Sequence, residues 1–405
     1  MAHLLTVLGL LFTIPACAAD DRAKLGDVSV APFYSSDLPS KEKAGVLIKQ
    51  EALSPHQSLS SAKQNIRLLY TSSNGLGTSE LGKPFILAVS GALFLPAGTP
   101  PKNGWPLLLW SHGTVGIADN CAPSWTGYVP FHQEHLNHWL RKGYAIVASD
   151  YQGLGTKGTH PYLATRPAAY SNLDVIRAVQ KSDFPVSRQV VLLGQSQGAA
   201  AALATAGYAV DYAPELDIRG VVATGIPFFT PKALIAVREA RPRDVVDPQL
   251  GYNFLALTLV QLLDPTFNMN DYLSDLAKPV ASRVAKICNR DMRQEIKAAE
   301  LTYNNTFKKS PNDGLARAFK QMQYPSLKLD IPIFIGSGAE DRDTPLRMQS
   351  ALVKRACQLG SSLEAHVYKS EDHLTTLNRS LEHSTPFVAA AHNGQNITGN
   401  CPDKK

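Results

Sequence analysis

The stretch that most constrains this chain is Gly194-Gln195-Ser196-Gln197-Gly198. An apolar run at 190–193 leads into it and an Ala-rich helical stretch at 197–208 leaves it. A strand that turns at once into a helix brings its flanking positions against the neighbouring strand and helix, so side chains there would collide. Gly194 and Gly198 avoid that collision. The serine is held exposed, with its Oγ near the N-terminus of the helix. This is the pattern of a nucleophile elbow, and it makes Ser196 the candidate nucleophile. The bland rival is a glycine-rich helix start.

Strand-length apolar runs recur at 66–70, 85–95, 107–110, 145–148, 221–223, 333–335 and 365–368. Helical patterns lie between them: 131–142 puts Leu136, Trp139 and Leu140 on one side, and 171–180 does the same with Leu173, Ile176 and Val179. Strands in series followed by strand–helix alternation predict an α/β fold, a mixed, mostly parallel sheet flanked by helices. Over 228–327 the strand runs give way to Pro-punctuated amphipathic segments such as 254–263 and 292–301. That predicts a helical cap or lid inserted into a core made of 64–227 and 328–405. The rival is a set of helices completing the outer layer of the core. Residues 20–63, polar and spaced by Pro and Ser, read as an N-terminal extension.

A nucleophilic serine needs a base, and the base needs an orienting carboxylate, in the chain order Ser, Asp, His for this architecture. The run at 333–335 leads into Gly338-Ala339-Glu340-Asp341-Arg342-Asp343-Thr344-Pro345. Asp341 fits the spacing of the acid loop, with Asp343 as its rival and Glu340 behind both. The last run, 365–368, is followed by Ser370-Glu371-Asp372-His373-Leu374, which places His373 where the base belongs. His366 lies inside the strand and reads as a packed residue. An oxyanion hole needs two backbone N–H groups aimed at the developing charge. One falls to Gln197, the residue after the serine. The other falls to Thr114 in Ser111-His112-Gly113-Thr114, after the 107–110 run, with Gly113 or a residue up to Gly116 as alternatives. His112 and Gly113 shape this turn, and His112 reads as a prop.

Composition removes other classes. With 44% hydrophobic and 18% charged residues the chain is not disordered. A net charge of +6, from 40 basic against 34 acidic residues, comes without a basic stripe, which argues against a nucleic-acid partner. His132, His135 and His138 invite a metal reading, but no acidic or Cys ligand accompanies them; a solvated helix face is the better reading, and neither metal nor cofactor is expected. The four tryptophans, Trp105, Trp110, Trp125 and Trp139, crowd around the oxyanion turn and could line an acyl pocket; for each alone, ordinary packing is the better reading. Asn304, Asn378 and Asn396 open glycosylation sequons that matter only in a eukaryotic secretory route.

The apolar run 4–14 is too short to span a bilayer and ends at Ala16-Cys17-Ala18. Residues 1–19 therefore read as a signal peptide of a secreted or periplasmic protein, with lipidation of Cys17 as the rival. No second long apolar run follows, so no transmembrane segment is expected. Of the 5 cysteines, all but Cys17 remain in the mature chain: Cys121, Cys288, Cys357 and Cys401. An even number in an oxidising compartment predicts two disulfides, with three connectivities open.

These residues together resemble the secretory lipase family of the α/β-hydrolases, the fungal lipase A-like group and its bacterial relatives. The resemblance rests on Ser111-His112-Gly113-Thr114, Cys121-Ala122-Pro123-Ser124 and Asp150-Tyr151-Gln152-Gly153-Leu154-Gly155, then on the elbow, Asp341 to Pro345, and Glu371-Asp372-His373-Leu374; it spans 66–392. It implies the α/β-hydrolase fold with a lid matching 228–327. It also implies disulfides joining Cys121 to Cys288 and Cys357 to Cys401, the lid thereby tethered to the core. The His-Gly-Thr turn is more like that of bacterial esterases.

The expected activity is a serine carboxylic-ester hydrolase, an esterase or lipase, acting on small-molecule or lipid esters with lipid-interface contact through the cap. The alternative is a peptidase, amidase or acyltransferase on the same triad. A dipeptidyl substrate would call on cap carboxylates such as Glu239, Asp244, Asp247, Asp271 and Asp275. A non-enzymatic binding protein on the same scaffold would be expected to lack a triad member, and none is missing.

Overall fold

The computed structural model describes residues 25–36, 43–77, 85–230, 241–264 and 266–401. The expected signal peptide, Cys17 and Glu239 lie outside them. Among the described residues nine strands form one sheet: β1 (Leu47–Ala52), β2 (Ala62–Ser73), β3 (Ile86–Pro96), β4 (Trp105–Ser111), β5 (Ala145–Ser149), β6 (Val186–Gln195), β7 (Asp217–Thr224), β8 (Ile333–Gly338) and β9 (Leu363–Tyr368). Their order is β1-β2-β3-β5-β4-β6-β7-β8-β9. Pairings from β1 to β3, and of β3 with β5, are antiparallel; the rest are parallel.

The central strands are apolar without alternation because both faces are covered. Side chains of successive residues point to opposite faces. Leu107, Leu109, Val190, Leu192, Val221 and Ala223 accordingly pack on one face with Val175, Ile176 and Val179 of α2 (Thr165–Gln180). Ala199, Ala202 and Leu203 of α3 (Gln197–Tyr212) join them there. Leu108, Trp110, Val191, Leu193 and Val222 meet the other face's helices, α1 (Pro130–Arg141) and α8 (Leu381–His392). Truncating one of these buried leucines to Ala should cost about 2–5 kcal/mol.

Residues 228–327 hold further helices, α4 (Leu250–Leu263), α5 (Asn289–Ala298) and α6 (Asn312–Gln321), before α7 (Leu346–Leu359) returns to the sheet. Phe254, Leu257 and Val260 of α4, Ile296 of α5 and Ala318 of α6 share a hydrophobic cluster distinct from those against the sheet. α4 is buried nearly all round, as befits a helix at the centre of its own small core.

Two disulfides close the structure, Cys121–Cys288 and Cys357–Cys401, the pairing the resemblance implies. The second holds the chain's end along β9: Asn400 N–H donates to Leu363 O at 2.9 Å, and its side chain exchanges hydrogen bonds with Ala365 N and O. One strand was missed by sequence reasoning. β1, inside the expected extension, carries Lys49, Gln50 and Glu51 along an edge with little burial, and so lacks an apolar signal. Phe33 and Tyr34, also from that stretch, are buried, and Tyr34 Oη lies 2.9 Å from Ser124 Oγ.

Candidate active site

The elbow is where β6 runs into α3. Ser196 has φ 58° and ψ −123°, a conformation L-residues avoid and that persists only where the surroundings enforce it. Its N–H donates to Thr224 O of β7 at 2.9 Å. A Cβ on Gly194 would lie 2.0 Å from Gly198 O, and one on Gly198 would lie 1.8 Å from Ser111 O. No side chain fits at either position. The half-buried serine stands at the start of α3, where first-turn N–H groups lack intrahelical acceptors and the helix end is electropositive.

His373 and Asp341 meet on the loops that follow β9 and β8. His373 Nδ1 donates to Asp341 Oδ2 at 2.8 Å, which leaves Nε2 as the lone-pair nitrogen. Asp341 is buried and further held by Thr344 N–H at 2.8 Å, Thr344 Oγ1 at 2.9 Å and Gln349 Nε2 at 3.0 Å. Gln195, next to the serine, donates from Nε2 to His373 O at 3.0 Å, tying the histidine loop to the elbow. His373 Nε2 is buried and has no hydrogen-bond partner, so the bond to Ser196 Oγ is not closed in this structure. Such bonds commonly tighten only around substrate. Burial pulls the His373 pKa down, but the hydrogen bond and charge of Asp341, with Asp343 and Asp372, outweigh it and leave the pKa raised above 6.5.

The other carboxylates go elsewhere. Asp343 accepts hydrogen bonds from Gln249 Nε2 and, at 3.0 Å, from Tyr252 Oη, with Arg293 Nη1 at 3.6 Å. Glu340 is exposed. His366 in β9 is paired with Glu364 at 2.7 Å and stacked on His383.

The turn after β4 lies against the elbow: a Cβ on Gly113 would be 3.6 Å from Ser196 Cβ. His112 is buried, and its Nδ1 donates to Gly113 O at 2.7 Å while Tyr151 packs on its ring. In a trans peptide the carbonyl and the following N–H point opposite ways. The Gly113–Thr114 peptide is thus oriented by His112, and Thr114 N–H points away from the imidazole. Burial lowers the His112 pKa, against the contacts with Gly113 and Asp150 that raise it. Beneath the turn, buried Asp150 accepts from Ser124 N–H at 2.9 Å, Ser90 Oγ at 2.6 Å and Ser124 Oγ, which locks the Cys-Ala-Pro-Ser segment to β3 and β5. On α3, Gln197 Nε2 donates to His160 Nε2 at 3.1 Å, and His160 Nδ1 donates to Gln152 O at 2.9 Å. Burial takes the His160 pKa down to about 4, so it stays a neutral acceptor.

A cavity of about 130 Å³ opens over Ser196, Gln197 and Thr114. Its lining mixes apolar residues, Leu163, Phe229, Ala256, Phe319, Met322 and Met348, with polar ones, Arg241, Gln249, Tyr252, Asn253 and Asp343. Apart from Asp343, these lining residues escaped sequence reasoning. The signal was present in α4, where 249, 252, 253 and 256 follow the i, i+3, i+4, i+7 spacing of a single helix face.

The tryptophans fall to ordinary packing: none lines the cavity, and Trp110 and Trp139 are core residues of the opposite sheet face. One sequence reading is corrected here. The histidines of α1 are not a solvated face: His132 and His135 are buried against Trp110, and burial drops both pKa values to about 3. His135 Nε2 accepts from Trp139 Nε1 at 3.0 Å. Among the described residues no group of three or more His, Cys, Asp or Glu side chains is placed to hold a metal ion.

With this geometry in view, residues 125–241 match the family model described as secretory lipase. The chain resembles the secretory lipases, and its fold is that of an α/β-hydrolase. Lipase A of Moesziomyces aphidis is 23% identical over 324 residues, covering 73% of this chain and 67% of that protein. The structure of Candida antarctica lipase A superposes with a TM-score of 0.72 at 20% identity, covering 92% of this chain and 87% of the other. The rice cell wall degrading esterase LipA from Xanthomonas oryzae gives a TM-score of 0.66 at 18% identity, over 88% of this chain and 100% of that one. The resemblance read from the sequence is borne out.

Proposed function

We propose that the chain hydrolyses carboxylic esters through an acyl-enzyme on Ser196, with His373 as base and Asp341 as its orienting acid. The observation that carries this is the strained Ser196 turn with the buried His373–Asp341 pair tied to it through Gln195. His373 Nε2 takes the Ser196 proton as Oγ attacks the ester carbonyl, and Asp341 stabilises the imidazolium that forms. Backbone N–H groups of Gln197 and Thr114 receive the oxyanion, each worth on the order of 3 kcal/mol. His373 then protonates the leaving alcohol, and a water activated by the same nitrogen releases the acid.

Residues 228–327 serve as a cap over this site, supplying Phe229, Arg241, Tyr252, Phe319 and others to the cavity's lining. Lipid-interface contact through the cap, and export directed by residues 1–19, belong to the same reading. Among the described residues no helix is long and apolar enough to cross a membrane. The dipeptidyl alternative draws no support from the cap's acids: Asp247 faces Arg241, Asp275 faces Lys278, and neither they nor Asp244 and Asp271 line the cavity. Ser196→Ala tests the proposal. It should abolish hydrolysis of p-nitrophenyl butyrate and labelling by a fluorophosphonate probe, whereas retained turnover sinks the assignment.

A further inference from the structure

We infer that the corner of the cap at Cys288 and Asn289 is a positioning device for the oxyanion turn, beyond its part as a tether. The inference rests on the reading of Thr114 N–H as an oxyanion donor. Three links converge within a few residues. Cys288 is bonded to Cys121, which follows the turn in sequence. Asn289 N–H donates to Val115 O at 2.8 Å, and Asn289 Nδ2 donates to Thr114 O at 3.3 Å. Gly116, at φ +122°, leaves no slack: a Cβ there would sit 3.2 Å from Cys121 Sγ, from Cys288 Cα and from Ile287 O.

The geometry explains why a grip at these atoms matters. His112 fixes the peptide plane that carries Thr114 N–H, through the carbonyl of Gly113. Asn289 fixes the next two planes, through the carbonyls of Thr114 and Val115. With planes held on both sides of Thr114, its N–H has little freedom to swing away from the serine. Core and cap each hold one side of the turn. A tether needed for stability alone has no reason to engage two successive carbonyls of this loop. Asn289 also opens α5, so the grip is delivered from the start of a regular helix packed on α4 through Met292 and Ile296.

The test compares Asn289→Asp, the Cys121→Ser/Cys288→Ser pair and the Cys357→Ser/Cys401→Ser pair. Turnover of p-nitrophenyl butyrate is normalised to fluorophosphonate-titrated sites. Alongside it, Ki is measured for an alkyl boronic acid, whose tetrahedral serine adduct puts an oxygen in the oxyanion position. Loss of the 121–288 bridge should lower kcat about tenfold or more with KM within about twofold, and weaken the boronate by a similar factor. Asn289→Asp removes the Nδ2 donor and sets a carboxylate against Thr114 O. It should lower kcat roughly three- to tenfold and weaken the boronate in step, with Tm close to wild type. Loss of the 357–401 bridge should lower Tm and leave normalised kcat unchanged. If the first two variants keep kcat per site within about twofold, or lose it with boronate affinity intact, the inference is overturned. Should the 121–288 variant not fold, Asn289→Asp decides alone. Failure of the underlying mechanism looks different: wild-type protein would not label, or Ser196→Ala would still turn over.

Discussion

Placing one methyl group at position 198 tests the geometry of the elbow directly. In Gly198→Ala the new Cβ would start 1.8 Å from Ser111 O, with Ser111 C at 2.4 Å and His112 O at 2.7 Å. All three are backbone atoms, so no side chain can rotate away. Restoring ordinary contact at about 3.2 Å requires the first turn of α3 and the end of β4 to separate by about 1.4 Å. The two edges forced apart carry Ser196 on one side and the His112-Gly113-Thr114 turn on the other. A displacement of about 1 Å in a reacting constellation costs about a hundredfold in rate. Overpacking adds about 1–3 kcal/mol of destabilisation. Normalised kcat on p-nitrophenyl butyrate should therefore fall by about two orders of magnitude or more in protein that still folds by circular dichroism. Gly77→Ala is the control, because a Cβ there meets nothing within 4 Å. A Gly198→Ala enzyme within about threefold of wild type would refute the claim that the elbow is sterically closed.

Three further outcomes are expected. Catalysis needs neutral His373, and its raised pKa means that kcat/KM should fall as pH drops through a value above 6.5; Asp343→Asn, which removes one of the charges responsible, should move that limb to lower pH. With about 130 Å³ over the serine, kcat/KM on p-nitrophenyl esters should peak near about C4–C6, since a cavity of roughly 150 Å³ accommodates benzene; a steady rise to C16 would contradict the cavity as drawn. Burial raises the Asp119 pKa from 3.8 to about 7, so the folded state holds the proton more tightly than the unfolded chain. That stabilisation is present below pH 3.8 and disappears as pH rises through about 7. Between pH 5 and 8, Tm measured by calorimetry should fall more steeply in wild type than in Asp119→Asn, and parallel curves would show that Asp119 does not titrate there.

How much of this was legible in the sequence depended on how local the cause was. The elbow could be read because its glycines answer to contacts within a few residues and one neighbouring strand. Spacing favoured Asp341, the carboxylate that meets His373, but could not tell what Asp343 does, because Gln249, Tyr252 and Arg293 reach it from distant segments. β1 was illegible for a physical reason: an edge strand is stabilised by one ladder of backbone bonds and needs no apolar face. The histidines of α1 show the reverse. Their spacing with Leu136, Trp139 and Leu140 places His132 and His135 on the buried stripe, so the pattern was there and residue polarity overrode it.

The chain's last described residues have a bearing on solution behaviour. A sheet of this kind ends in two exposed rows of backbone donors and acceptors, each a template for pairing with another molecule. On the β9 side the first part of that row is already occupied: Asn400 takes Leu363 O with its own N–H and both polar groups of Ala365 with its side-chain amide. One asparagine imitates a short companion strand, and the bond from Cys401 to Cys357 keeps it in register. The 357–401 disulfide therefore does more than join two cysteines: it holds in place the residue that satisfies the edge.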